Sequence, residues 1–239
     1  MSENKTGKYI KYALGEISLV MIGILLALQI NNWNQDRQTD IQINNYLKSM
    51  LIDLKSDIDL YEENIEYSKT YLENISWVLT NDDYKQLEAD SIIALINRNW
   101  GNSLLSTQTF EKIKSVGLEN ILGNPEIDKA VNDYYNKSAV HFDYYIEWNR
   151  ESTNRDDLFW YYNDHFEAPV GYQLNLTSVP YRQDSATRKK ELIKLIESTL
   201  GRNYLKNALN RDEFGIEVSK LHKSTAEELV ALIEKEIGK

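Results

Sequence analysis

Gly15-Glu16-Ile17-Ser18-Leu19-Val20-Met21-Ile22-Gly23-Ile24-Leu25-Leu26-Ala27-Leu28-Gln29-Ile30-Asn31-Asn32-Trp33-Asn34 holds the only strongly apolar run in this chain of 239 residues. From Tyr12 to Trp33 there are roughly 20 residues, which at about 1.5 Å per residue just cross a hydrocarbon core of about 30 Å. The segment therefore predicts a transmembrane helix over 12–33. A secretory signal peptide is the main rival, since Lys5, Lys8 and Lys11 precede the compact apolar core. No small-x-small cleavage site follows, which favours an uncleaved anchor; a buried core helix is the remaining reading.

Lys and Arg near a span set its direction, and three lysines stand before it whereas Arg37 stands alone just after. The expectation is an inner-membrane protein with a cytoplasmic tail over 1–11 and the bulk of the chain, 34–239, in the periplasm. Tyr9, Tyr12 and Trp33 suit the two interfaces. A chain without cysteine is compatible with an oxidising compartment but does not demand one.

Within the span Glu16 is the costly residue, because an ionisable group at membrane depth marks a function unless it snorkels to the headgroups. At about 100° per residue, Glu16, Val20, Gly23, Ala27 and Asn34 share one stripe, with Asn31 on its flank. Gly23-x-x-x-Ala27 allows two backbones to approach closely, and amides such as Gln29, Asn31 and Asn34 can bond across helices, so the face suits a homo-oligomer.

The remainder is acidic and helix-rich, with a net charge of −10, three Pro and sixteen Tyr. The charge argues against nucleic acid and against docking on anionic lipid. Between Gly23 and Gly101 there is neither Gly nor Pro, so nothing forces the membrane helix to stop at the surface. Leu47, Leu51, Leu54, Ile58, Tyr61, Ile65, Ser68, Leu72, Ile75 and Leu79 follow steps of four and three, interrupted only by the serine. This predicts one long helix reaching Thr80, ended by the turn residues Asn81-Asp82-Asp83. A short helix is expected over Glu88 to Asn99, a loop from Gly101 to Thr107, and another helix from Thr109 to Gly117.

Gly123-Asn124-Pro125-Glu126 reads as a break, a cap, a first-turn proline and a first-turn acid. From Pro125 to Ala168 no further Pro or Gly occurs, which predicts a second long helix packed on the first. Pro169, Gly171 and Pro180 mark an irregular crossing. Ser185 to Thr199 and Arg202 to Ile237 are again helical, with Ser224 to Glu227 matching a capping box. The expected fold is all-α: a transmembrane helix continuing into an antiparallel, coiled-coil-like bundle of long helices.

Chemistry is harder to find. His141, His165 and His222 lie far apart, and none has a carboxylate three residues before it, so they read as structural or solvent-facing. There is no H-E-x-x-H, no phosphate loop, no nucleophile elbow and no cysteine, so neither an enzyme nor a cofactor is expected. Glu62, Glu63 and Glu66 could bind a cation, but a solvated helix face explains them more simply. The aromatic block from Tyr134 to Phe166 is wider than one helix stripe can bury. It reads first as a core shared with the carboxy-terminal helices and alternatively as an oligomer or partner surface, with Tyr144, Trp148, Trp160 and Tyr161 the candidates for that surface. The sequons at Asn74, Asn136 and Asn175 read as coincidental if the source is bacterial.

The stretch Lys8-Tyr9-Ile10-Lys11-Tyr12-Ala13-Leu14-Gly15-Glu16-Ile17, with Gly23-Ile24-Leu25-Leu26-Ala27-Leu28-Gln29-Ile30-Asn31-Asn32-Trp33-Asn34, resembles the opening of an uncharacterised family of single-anchor membrane proteins in Gram-negative bacteria. Thr109-Phe110-Glu111-Lys112-Ile113-Lys114-Ser115-Val116-Gly117, then Ile121, Leu122, Asn124 and Tyr134-Tyr135, resembles that family's middle motif. Ile113 stands where the family usually has Leu, and Val116 where it often has Ser. The resemblance implies an envelope location and carries no activity or cofactor. Two functions are compatible with these readings: a non-enzymatic interaction, scaffolding or sensing element with an envelope protein partner, or a homo-oligomeric pore lined by Glu16, Gly23 and Ala27.

Overall fold

The computed structural model describes residues 5–97, 104–117, 124–169 and 180–238, with side chains from Tyr9 onward except that of Ile10. Every regular element among these residues is a helix, with no strand among them. Several expected boundaries lie outside the described residues: Asn99, Gly101, Ile121, Leu122, Gly123 and Gly171, together with the Asn175 sequon and the side chains of Lys5 and Lys8. The chain divides into two compact units, Met1–Ser49 and Met50–Lys239.

Helix α1 runs from Lys5 to Thr80, as the absence of Gly and Pro between Gly23 and Gly101 allows. In the second unit the heptad-like seam is the buried face: Leu54, Tyr61, Ile65, Ser68 and Ile75 are all buried, joined by Met50, Asp57 and Val78. Asn81 ends α1 by accepting the Asp83 N–H at 3.0 Å, and a 3-10 turn follows at Asp83–Gln86. Helix α2 spans Ala89–Ile96 and α3 spans Gln108–Ser115. Gly117 closes α3 with φ of 70°, the left-handed region in which a Cβ is strained.

Helix α4, Pro125–Asp133, starts as its sequence predicts: Asn124 Oδ1 accepts the Glu126 N–H at 2.9 Å and Pro125 takes the first turn. The second long helix differs from expectation in two ways. It carries a π-helical segment at Tyr134–Ser138 before continuing as α5, Ala139–Tyr161. The wider turn allows two consecutive rings, Tyr134 and Tyr135, to point inward, where an α-helix would separate them by about 100°. It also stops at Tyr161 and not at Ala168, because Asn163 competes with the helix. Its amide donates to Phe159 O and Trp160 O, and its Oδ1 accepts the His165 and Phe166 N–H groups.

Helix α6 covers Ser185–Glu197 and α7 covers Thr199–Ile237. The break falls at Ser198, whose hydroxyl oxygen accepts the Gly201 N–H at 2.9 Å. Ser224 to Glu227 caps nothing: α7 runs straight through it, and Thr225 Oγ1 donates back to Leu221 O. Burial of Ala226 and Leu229 holds that turn helical.

In the second unit, α5 and α6 pack against α7 and α2 packs against α6. Helix α7 follows α1 in the opposite sense: Lys55 meets Glu234 at 2.9 Å, while Arg202 donates to Leu79 O at 3.2 Å. One apolar core gathers Ile75, Val78, Ile92, Ile96, Trp160, Leu192, Ile196 and Leu205. Toward the other end an aromatic group forms, with Tyr61 edge-on to Phe142 at 4.8 Å and Phe110 stacked on Tyr135 at 4.5 Å. Between them lies a polar layer of buried Ser68, Asn149, Ser152, Thr153, Asp212 and Ser219.

Candidate functional site

The first unit contributes an apolar surface. A dozen large apolar side chains from Leu14 to Trp33 are exposed, and so are Glu16, Gly23, Ala27, Gln29, Asn31 and Asn34. A Cβ added at Gly23 would meet nothing within 4 Å, so none of the described residues covers the small-residue stripe there. At about 1.5–3 kcal/mol per large side chain, leaving this surface in water costs on the order of 20–30 kcal/mol. By length and composition the helix is long and apolar enough to cross a membrane, and none of that window is buried.

In the second unit the buried polar groups are few and specific. Asp57 lies on the α1 seam, three residues after Leu54 and four before Tyr61, and is 1% exposed. Its Oδ1 accepts the Ser106 N–H at 2.7 Å and its Oδ2 accepts the Tyr134 hydroxyl at 2.8 Å. Tyr134 has spent its proton there, so Tyr61 donates to Tyr134 Oη at 3.2 Å. One turn earlier Asp53 accepts the Thr109 N–H at 3.2 Å. Two carboxylates of α1 thus accept one amide of the first turn of α3, Thr109, and the Ser106 amide just before it, where α3 has no side-chain cap of its own. Burial pushes the Asp57 carboxyl up to about 6, against the opposing pull of the Ser106 amide. The apolar seam read from the sequence placed Ile58 between Leu54 and Tyr61, whereas the buried position there is Asp57 and Ile58 is only half-buried.

Two of the three histidines meet. His141 Nδ1 lies 2.9 Å from His222 Nε2, and His222 Nδ1 lies 2.5 Å from Ser138 Oγ in the π-helical segment. Burial, and then the neighbouring His141, lower the His222 pKa to about 4. His165 stays apart on the exposed segment after α5. The structural role expected for them fits His222, but their meeting is not visible in linear spacing.

The candidate interaction residues separate. Tyr144 is 73% exposed and Trp148 43%, Tyr161 is half-buried, and Trp160 is 4% exposed within the apolar core. Trp160 therefore belongs to the interior: it packs edge-on to Phe159 at 4.7 Å and is no part of a surface. Glu62, Glu63 and Glu66 lie on an exposed face where Lys223 reaches Glu62 at 3.4 Å and Lys69 reaches Glu66 at 2.6 Å. Among the described residues no group of three or more His, Cys, Asp or Glu could hold a metal ion. Comparison of the chain with protein-family models, with curated protein sequences and with solved structures finds no match.

Proposed function

We propose that the chain is a non-enzymatic, single-pass protein of the bacterial inner membrane. In this reading residues 12–33 cross the bilayer, 1–11 lie in the cytoplasm, and the helices beyond 34 form an antiparallel periplasmic bundle. That bundle serves as an interaction, scaffolding or sensing element for another envelope protein. The uncovered apolar run from Leu14 to Trp33 carries the reading, because only a lipid bilayer or a second copy can relieve that cost. The opposed contacts of α1 and α7 support the bundle, and the lysine bias before the span supports the orientation.

The test is alkaline carbonate extraction of the full chain from membranes, beside a variant with Ile22→Arg and Leu26→Arg. Each arginine at mid-span costs about 2.5–3.5 kcal/mol on insertion. The native chain should stay with the membrane pellet and the double variant should move to the supernatant or be degraded. Protease added to spheroplasts should remove everything beyond about residue 34 and leave the tail protected. A native chain that washes off, or a mature protein lacking its first thirty or so residues, would sink the anchor.

A further inference from the structure

A pocket of about 360 Å³ opens between α5 and α7. Trp148, Arg155 and Asp156 line it from α5, and Tyr204, Asn207 and Arg211 from α7. Apart from the adjacent pair Arg155-Asp156, these positions are three, four, seven or eight apart along each helix, so each helix offers one broad face. The volume lies at the small end of the range for specific ligand sites.

Its floor is charged and under-satisfied. Arg211, 6% exposed, pairs through Nη2 with Asp156, while its buried Nε finds no hydrogen-bond partner among the described residues. Arg155 donates to Ser152 Oγ at 2.9 Å and makes no ion pair among the described residues. Among the lining side chains two guanidiniums stand against one carboxylate, with Asp157 and the buried Asp212 next in sequence to Asp156 and Arg211, on a chain whose net charge is −10. The walls are pre-set: Tyr204 stacks on Phe159 at 4.6 Å and Trp148 stands edge-on to Phe214 at 6.0 Å, so neither ring must reorganise to accept a guest.

We infer that this pocket binds a sugar acid: one pyranose ring bearing a single carboxylate, its apolar face against Trp148 and Tyr204 and its carboxylate on Arg155. The aromatic walls fit the C–H face of a flat ring. Asn207, Asn210 and the Ser152 hydroxyl match a ligand rich in hydroxyls, which an aromatic acid would leave unpaired. Arg155, without an ion pair among the described residues, offers one carboxylate a partner, and the planar guanidinium fork suits that group. A neutral sugar leaves the charge unused, and a phosphate dianion would face Asp156 with too little compensation. The inference goes beyond the envelope role proposed above and does not depend on the anchor.

The experiment is a titration of the full chain in nanodiscs with D-glucuronate, D-glucose and benzoate, followed by saturation-transfer NMR and tryptophan emission. Glucuronate should saturate, with glucose and benzoate each at least about tenfold weaker. Arg155→Gln should weaken glucuronate at least about tenfold and leave glucose unchanged, and Trp148→Ala should weaken both sugars. Both side chains are solvent-accessible, so helical circular dichroism should be unaltered in the variants. Arg150→Gln, one turn away and paired with Glu147, should bind as the native chain does. The assignment is overturned by absence of saturation at millimolar glucuronate, by glucose or benzoate binding as tightly, or by Arg155→Gln and Arg150→Gln behaving alike.

Discussion

Asp57 and His222 are buried on either side of Tyr61, which reaches Tyr134 Oη on one side and lies 6.3 Å ring to ring from His222 on the other. They titrate in opposite senses. The folded Asp57 carboxyl sits at about 6 against an ordinary value of 3.8, so the native chain holds this proton more tightly than the unfolded chain. Its contribution to stability is complete below about pH 4 and is lost as pH rises to about 6. Asp57→Asn keeps an acceptor for the Ser106 amide without the charge. Relative to the native chain, it should therefore gain on the order of 2 kcal/mol between pH 4 and 7, read from urea midpoints at the two values. His222 runs the other way, from an ordinary 6.5 down to about 4. Its contribution is complete above about pH 6.5 and lost as pH falls to about 4. His222→Gln should remove that acid-side slope, so its penalty relative to the native chain should shrink by on the order of 2 kcal/mol between pH 7 and 4. Parallel pH profiles for native and variant proteins would refute either assignment.

Helices α5 and α7 approach closely at Gly215, where an added Cβ would collide with Tyr145 Oη and lie 3.1 Å from its Cζ. Tyr145 is itself held by Phe142, Trp148 and Phe214 and has little room to withdraw. Gly215→Ala should cost about 1–3 kcal/mol. Tyr145→Phe, which deletes the nearest atom, should recover part of that loss in the double variant, giving a coupling of at least about 0.5 kcal/mol. Additive effects would mean that the two helices stand further apart than described. At this scale the sequence was legible where one residue type forces the outcome. The long stretches without Gly or Pro gave α1, Asn124-Pro125 started α4, and Gly117 stopped α3. It was opaque where a side chain overrides local pattern, as Asn163 does in ending α5, or where packing overrides a cap, as at Ser224. Periodicity names the buried face of a helix but not what it meets. The His141–His222 pair, 81 residues apart, and the α5–α7 pocket exist only once two helices are paired. Ser68 was the exception, since its interruption of the apolar seam marks the buried polar layer of the second unit.

For the whole molecule the proposed anchor bears on assembly, because Gly23 and Ala27 leave a strip along which a second backbone can approach. Light scattering of the micelle-solubilised protein, corrected for bound detergent, should give the mass of two chains, and Gly23→Leu with Ala27→Leu should give one. A ring-sized mass would instead favour conduction, and loss of that conductance in Glu16→Gln would then assign the carboxylate to a pore. The placement of α7 has a different consequence, in time. Helix α7 supplies Leu205 and Ala208 to the apolar core and His222 to the aromatic end, so it is needed along the whole seam of α1 in the second unit. Yet more than a hundred residues separate Thr80 from Thr199. At about 5–20 residues per second, the ribosome leaves that seam without its cover for on the order of ten seconds. Each newly made chain therefore passes through an interval in which Leu54, Tyr61 and Ile75 are open to any holdase, or to the same strip of a neighbouring nascent chain.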